Sequence, residues 1–268
     1  MFKRSLLIAA FLLSACSGAE TTAPVAAEKP TDNFLTKLQA DYPATLSKIA
    51  ENVWVHTTNY RLPGQNPIGS NGLVVVDGED VILVDGAWGE LATLSLLEKV
   101  KAETGKAVTK MVVTHHHMDR TAGVDVAEWQ GIQVFSHPDT PALAAKNGFP
   151  VPNTSVAGLK NPKSRTKVGS IEVAYPGHGH AQENLVVYIP SAEILYGGCA
   201  VRGAGVKTLG NTDDADLTKW SESLQWVKAT YPKTKTVVPG HGKGANLALI
   251  DATLALINAE TSEADEVP

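Results

Sequence analysis

Downstream of residue 50, eight short apolar runs recur along the chain, at residues 53–55, 72–76, 81–84, 111–114, 134–135, 185–189, 194–196 and 236–238. Runs this short, rich in valine and isoleucine, predict buried strands, and none approaches the ~18 residues a membrane span needs. Between them lie two helical patterns. Leu91, Leu94, Leu97 and Val100 share one face, as do Leu217, Trp220, Leu224 and Val227 behind an acidic first turn at Asp213, Asp214 and Asp216. Asp77-Gly78 marks a hairpin between two of the runs. Strands interspersed with helices predict a layered α/β domain. No linker or internal repeat interrupts residues 34–268, so the 268-residue chain reads as one large domain. Its net charge of −5 excludes a nucleic-acid partner bound by phosphate neutralisation. The acidic tail from Thr261 is expected to fray.

The first sixteen residues carry a different signal. Met1-Phe2-Lys3-Arg4 bears two positive charges, residues 5–13 are nearly all apolar, and Leu13-Ser14-Ala15 leads into Cys16. A charged start, a short apolar core and small residues before a cleavage point make an export signal, too short to span a bilayer. The cysteine makes it resemble a bacterial lipobox. That resemblance implies loss of residues 1–15 as a lipoprotein signal peptide and lipidation of Cys16, the only expected membrane contact. Ser17 favours the outer over the inner membrane, with the domain in the periplasm. Cleavage removes Lys3 and Arg4, leaving 21 positive against 28 negative residues, a net charge of −7. Residues 16–33 are small, polar and punctuated by proline, the composition of a flexible tether.

Three of the eight histidines fall in Thr114-His115-His116-His117-Met118-Asp119-Arg120, directly after a buried run. Strand ends are where loops present functional groups on a rigid scaffold. In an extended turn alternate residues point the same way, so His115, His117 and Asp119 converge and His116 reads as a spacer. Imidazole with carboxylate suits zinc and other first-row metals. Three further loops repeat the arrangement. Residues 175–180 end in His180, Tyr196-Gly197-Gly198 leads to Cys199, and Val238-Pro239-Gly240 leads to His241. Six candidate ligands divide into two sets of three, each leaving room for water on a four-coordinate zinc. His56 and His137 read as structural or exposed, and the two cysteines allow at most one disulfide.

These strings resemble a metallo-β-lactamase of the two-zinc subclass that uses a cysteine ligand. The matching residues are Thr114-His115-x-His117-x-Asp119-Arg120-x-x-Gly123, Pro176-Gly177 with His180 and Asn184, Gly197-Gly198-Cys199, Leu209-Gly210-Asn211, and Pro239-Gly240-His241-Gly242. Residues 84–88 and 70–72 fit that family's early strands, and residues 183–188 with 195–200 look closest to its Verona-type enzymes. The resemblance implies a four-layer αββα sandwich and two Zn2+ per chain. One ion would be held by His115, His117 and His180, the other by Asp119, Cys199 and His241. It further implies zinc-dependent hydrolysis of the β-lactam amide of penicillins, cephalosporins and carbapenems by a zinc-bound hydroxide, which confers antibiotic resistance. The substrate is a small molecule, and the domain is expected to be monomeric.

Within that family pattern Asp119 is catalytic as well as a ligand, and Asn211 is the oxyanion donor. Arg202 is the cation for the substrate carboxylate, with Lys207 as substitute. Trp88 and Tyr60, with Leu62 and Pro63, would form an apolar wall and flap, while Asp85 and Arg120 orient ligands. Three positions depart from the pattern: Gly86 replaces a common threonine, Glu183 a common aspartate, and His178 a small residue or proline. His178 competes with His180, but only His180 lies four before Asn184. Two other readings are another hydrolase of the same fold, a thioesterase or lactonase, and a non-catalytic zinc-binding lipoprotein. Many of those hydrolases follow the aspartate with histidine and lack the Gly-Gly-Cys ligand, whereas Arg120 and Cys199 stand here. With Cys16 lipidated, Cys199 is the mature domain's remaining thiol. A thiol reagent is therefore expected to label Cys199 in chelated protein and not in zinc-loaded protein. Equal labelling of the two would remove Cys199 from the ligand set.

Overall fold

Side chains on a strand alternate between two faces, and in this chain each face belongs to a different core. The computed structural model describes residues 32–61, 64 and 66–265. The export signal, Cys16, the tether up to residue 31, and Leu62 and Pro63 lie outside the described residues. The first sheet has seven strands in sequence order: β1 (Ala44–Ala50), β2 (Val53–Tyr60), β3 (Ile68–Asp77), β4 (Asp80–Val84), β5 (Lys110–Val112), β6 (Gln133–Ser136) and β7 (Thr154–Ser155). β1 to β4 form an antiparallel meander, and β4 to β7 run parallel. The second sheet contains β8 (Ser164–Val168), β9 (Ile171–Tyr175), β10 (Val186–Ile189), β11 (Ile194–Gly198) and β12 (Thr236–Pro239). It is antiparallel except for the β11–β12 pair.

Leu73, Val75, Ile82 and Val84 of the first sheet pack with Val173, Val187, Ile189 and Val238 of the second. Their alternate neighbours Val74, Val81 and Leu83 instead face Leu96, Leu97 and Val100 of α2 (Glu90–Thr104). On the far side Val186, Leu195 and Val237 pack with Trp220, Leu224 and Val227 of α6 (Leu217–Thr230), and with Ile250 and Ile257 of α7 (Ala248–Asp265). The expected αββα four-layer sandwich is the fold observed. Short helices α3 (Met118–Thr121), α4 (Val124–Trp129) and α5 (Thr140–Lys146) complete the crossovers.

Several local expectations shift. α1 (Asp32–Asp41) begins inside the stretch read as tether. α7 continues to Asp265 through the tail expected to fray. Leu91 is exposed, and Ala92 and Leu96 complete the buried face of α2 instead. α6 starts at Leu217 with Asp216 as its cap, accepting from the backbone N–H of Lys219 at 3.0 Å, so Asp213 and Asp214 precede the helix. Strands β1 and β8 had no apolar run to announce them because they lie at sheet edges and are largely exposed.

Two positions near the ends of β3 and β4 depend on one glycine. His56 on β2 pairs with Gly72 on β3, and a Cβ at Gly72 would sit 2.1 Å from His56 Nε2. Through that gap Nε2 donates to the Asp85 carbonyl at 3.0 Å. The ring is fully buried, and burial pushes its pKa down to about 4. It is therefore neutral in the fold. Between pH 6.5 and about 4 the unfolded chain takes up a proton that the folded chain refuses, so stability is lost as pH falls through that window. One such proton is worth ~1.4 kcal/mol per pH unit. Unfolding of metal-loaded protein at pH 7, 6 and 5 is expected to show a shallower decline for His56→Gln than for the native chain. Parallel declines would exclude His56 as a source of acid sensitivity.

Candidate metal centre

The carboxyl ends of β4, β5, β11 and β12 meet at one edge of the sandwich, and each delivers polar side chains there. His115, His116 and His117 occupy the turn between β5 and α3, with Asp119 and Arg120 in α3. His180 comes from the β9–β10 connection, Cys199 follows β11, and His241 follows β12. His115 Nε2 lies 3.1 Å from His117 Nδ1, which lies 3.0 Å from His180 Nε2. Asp119 Oδ2 is 3.0 Å from His241 Nε2 and 3.5 Å from Cys199 Sγ. Asp119 also spans the two groups, its Oδ1 lying 3.9 Å from His115 Nε2. Four overlapping triplets of potential metal donors occur among the described residues, including His115–His117–Asp119 and Asp119–Cys199–His241.

These donors fit a metal. Tetrahedral zinc with Zn–N bonds of ~2.0–2.1 Å holds its ligand nitrogens roughly 3.3 Å apart, close to the spacing found. Tautomers are set from behind. His117 Nε2 donates to Asp214 Oδ2 at 2.9 Å, leaving Nδ1 for the cluster. His241 Nδ1 donates to the Gly69 carbonyl at 2.7 Å, leaving Nε2. Burial, with the neighbouring His117, lowers the pKa of His115 well below the usual value and that of His180 to about 3. Both imidazoles are then neutral donors at pH 7. Burial alone would raise Asp119, but Arg120 and His241 outweigh it and hold the carboxyl well below its usual range. Burial also opposes the charge on His241, yet Cys199 and Asp119 push it up to about 10.

Arg120 is fully buried against the second triplet. Nη2 contacts Asp119 Oδ2 at 2.9 Å, Cys199 Sγ at 3.0 Å and the Gly240 carbonyl at 3.2 Å. Nη1 donates to the Asn71 carbonyl at 2.8 Å and to the Tyr196 hydroxyl at 3.1 Å. Gly240 is required here, since a Cβ would lie 2.7 Å from Arg120 Nη2 and 2.8 Å from Cys199 Sγ. Asp85 accepts from Thr114 N–H and Thr114 Oγ1, both at 2.8 Å, and so anchors the histidine turn. A cavity of about 460 Å³ opens over both triplets, walled by Ile68, Trp88, Met118, Phe149, Arg202 and Asn211.

A sequence profile of the metallo-β-lactamase superfamily matches residues 66–241. A metallo-β-lactamase type 2 of Bacillus cereus is 36% identical over 237 residues, covering 88% of this chain and 91% of its own. The chain belongs to the metallo-β-lactamase superfamily. Among solved structures, the metallo-β-lactamase of Hirschia baltica superposes with a TM-score of 0.77 at 31% identity, covering 80% of this chain and 98% of its own. One from Pseudomonas aeruginosa, in its mono-zinc form, gives 0.78 at 31% identity, with 84% and 97% covered. The chain is thus an enzyme of a hydrolase family that implies zinc, and its His, Asp and Cys clusters supply the donors.

The six expected ligands of this hydrolase lie together, and several other expectations need revision. His116 is no spacer: it is buried, with its backbone N–H 2.6 Å and its Nδ1 3.0 Å from Glu183 Oε1. His178 turns away from the cluster and donates to the Asp214 carbonyl at 2.8 Å. Arg202 lines the cavity, its Nε held by the Thr208 carbonyl at 3.1 Å. Lys207 is exposed and outside the cavity lining, because that anchored loop is not displaced. Tyr60 does not line the metal cavity; it stacks on Trp88 with centroids 4.5 Å apart, in an adjoining groove. Asn211 is exposed on the cavity wall, its Oδ1 accepting from Asp213 N–H at 2.8 Å. Both His56 and His137 are buried, away from the metal donors. Asp214, Met118 and Phe149 were missed. The sequence marks Asp214 only as a helix-start acid, and the other two carry no local signal.

Arg120 is the buried counter-charge of Asp119 and the near neighbour of Asp85, 3.5 Å away. Removing one partner from a buried charge network typically costs ~3–5 kcal/mol. Arg120→Met is expected to lower the urea-unfolding free energy of chelated protein by about that amount. A loss under ~1 kcal/mol would show that Arg120 is not the cation on which these groups depend.

Proposed function

We propose that the chain is a zinc-dependent β-lactamase of the two-zinc, cysteine-containing subclass. It opens the lactam amide of penicillins, cephalosporins and carbapenems, and so confers resistance to them. The observation that carries this reading is the cluster of His115, His117 and His180 beside the Asp119–Cys199–His241 triplet, unequal in charge, beneath one cavity that also presents Asn211 and Arg202. Zinc, when bound, supplies Lewis acidity and makes coordinated water acidic enough to react at neutral pH.

The chain's own residues have separate tasks. His115, His117 and His180 hold one ion, and Asp119, Cys199 and His241 hold the second, giving two per chain. Neutral imidazoles leave the charge of their ion intact, whereas carboxylate and thiolate dampen theirs. Asp119 touches both sets, at 3.9 Å from His115 Nε2 and 3.0 Å from His241 Nε2, which suits it to orient the attacking water. The Asn211 turn engages Oδ1, so its amide nitrogen donates to the lactam carbonyl as negative charge develops there. Arg202 pairs with the substrate carboxylate. Trp88, braced by Tyr60, and Phe149 exclude water beside the reacting amide. The charged leader, its apolar core and Cys16 support a periplasmic domain on a tether that ends before α1, lipid-anchored to the outer membrane and monomeric.

Purified protein is expected to consume the ultraviolet absorbance of at least one member of each lactam class. The activity should be abolished by chelator and restored by zinc. In the same assay Arg202→Ala should raise KM ~10–100-fold and change kcat less, as for loss of one charge-assisted hydrogen bond. No chelator-sensitive loss on any class would overturn the proposal.

A further inference from the structure

His116 stands between the two ligand histidines of its turn, yet its ring points away from the cavity and into the protein. It is 2% exposed, and the carboxylate facing it, that of Glu183, is fully buried. Glu183 accepts from the His116 backbone N–H at 2.6 Å and lies 3.0 and 3.1 Å from its Nδ1. Thr140, at the start of α5, adds a third contact at 3.3 Å. Glu183 lies three residues beyond His180, so the pair bolts the turn carrying His115 and His117 to the loop carrying His180. The opposite nitrogen, His116 Nε2, lies 3.7 Å from Asp214 Oδ2, the same oxygen that receives the His117 Nε2 proton at 2.9 Å.

We propose that His116 is a positioning residue for the three-histidine metal site, clamped between Glu183 and Asp214. It holds the His180 loop at the right distance and keeps Asp214 on the back of His117. This rests on the metal reading proposed above. The geometry also accounts for Glu183, one of the departures from the family pattern. Glutamate at 183 has the reach to meet an imidazole that an aspartate, one methylene shorter, would miss. A spacer needs only a side chain that avoids the cavity, whereas a clamp needs a donor at the Nδ1 position. Groups that orient metal-binding histidines from behind typically set metal affinity by ~10–100-fold.

The test measures zinc affinity by competition with a chromophoric chelator, together with the visible spectrum of cobalt-substituted protein, for the native chain and four variants. His116→Ala and Glu183→Met are each expected to weaken the three-histidine site ~10–100-fold and to shift the cobalt bands. Combining them should cost little more than the worse single change, because they break one contact. His116→Asn keeps a donor near the Nδ1 position and is expected to recover most of the affinity. Native affinity and unshifted cobalt bands in His116→Ala would overturn the clamp, whatever happens to its melting temperature. Should His116→Ala fail to fold, native affinity in Glu183→Met overturns it equally. Affinity is read without lactam, so a chain inactive on every lactam refutes the catalytic reading alone.

Discussion

A buried guanidinium joins the two sheets of this molecule to its metal donors. Desolvating a charge costs several kcal/mol, and it persists in an interior only where surrounding oxygens and counter-charges offset that cost. For Arg120 they come from Asn71 on β3, Tyr196 on β11, the Gly240 carbonyl after β12, and the carboxylate of Asp119 beside it. The first sheet, the second sheet and the anionic donor triplet are therefore tied together by the N–H groups of Nη1 and Nη2, while Nε finds no partner among the described residues. Packing of the sandwich and preparation of the metal site are one arrangement of charge.

The strand ends around it tolerate little else. Asp85 holds a left-handed backbone, φ 57°, which costs a non-glycine residue of order 1–3 kcal/mol. Its carboxylate, bonded to Thr114 and Tyr196, keeps it there and ties β4 to the histidine turn. Gly240 lets the β12 loop close on Arg120 and Cys199, and Gly72 lets His56 reach the Asp85 carbonyl. Backbone strain, close approach and hydrogen bonding concentrate where the ligands emerge.

The two donor triplets differ in how they are held as well as in charge. Every nitrogen facing away from the donors has a partner in His117 and His241, supplied by Asp214 and Gly69. His115 Nδ1 and His180 Nδ1 are buried without one among the described residues. Their rings depend on the packing of the loops themselves, which gives the His116–Glu183 contact its mechanical importance. On the substrate side, Trp88, Met118 and Phe149 wall both the metal cavity and a neighbouring groove of about 1160 Å³. Space beside the reacting centre is thus continuous with a larger, mixed apolar and charged surface.

Strands β3, β4, β10 and β12 were legible as short apolar runs because both of their faces are buried. Four strand-end loops pointed to one site, and His115, His117 and Asp119 do converge there, although Asp119 stands in α3 rather than in an extended turn. The two cysteines were likewise separable by context: Cys16 at the end of a pattern resembling an export signal, Cys199 after a buried strand. Edge strands β1 and β8 were not legible, since exposure removes the apolar signal. Nor were the tasks of His116, Glu183, Asp214 and Phe149. Local spacing says which way a side chain leaves its own backbone, but not what waits there. Glu183 is 67 residues from His116, and Asp214 is 97 from His117. Only the folding of one sheet against the other sets those distances, so the ligands belong to the sequence and their supports to the tertiary structure.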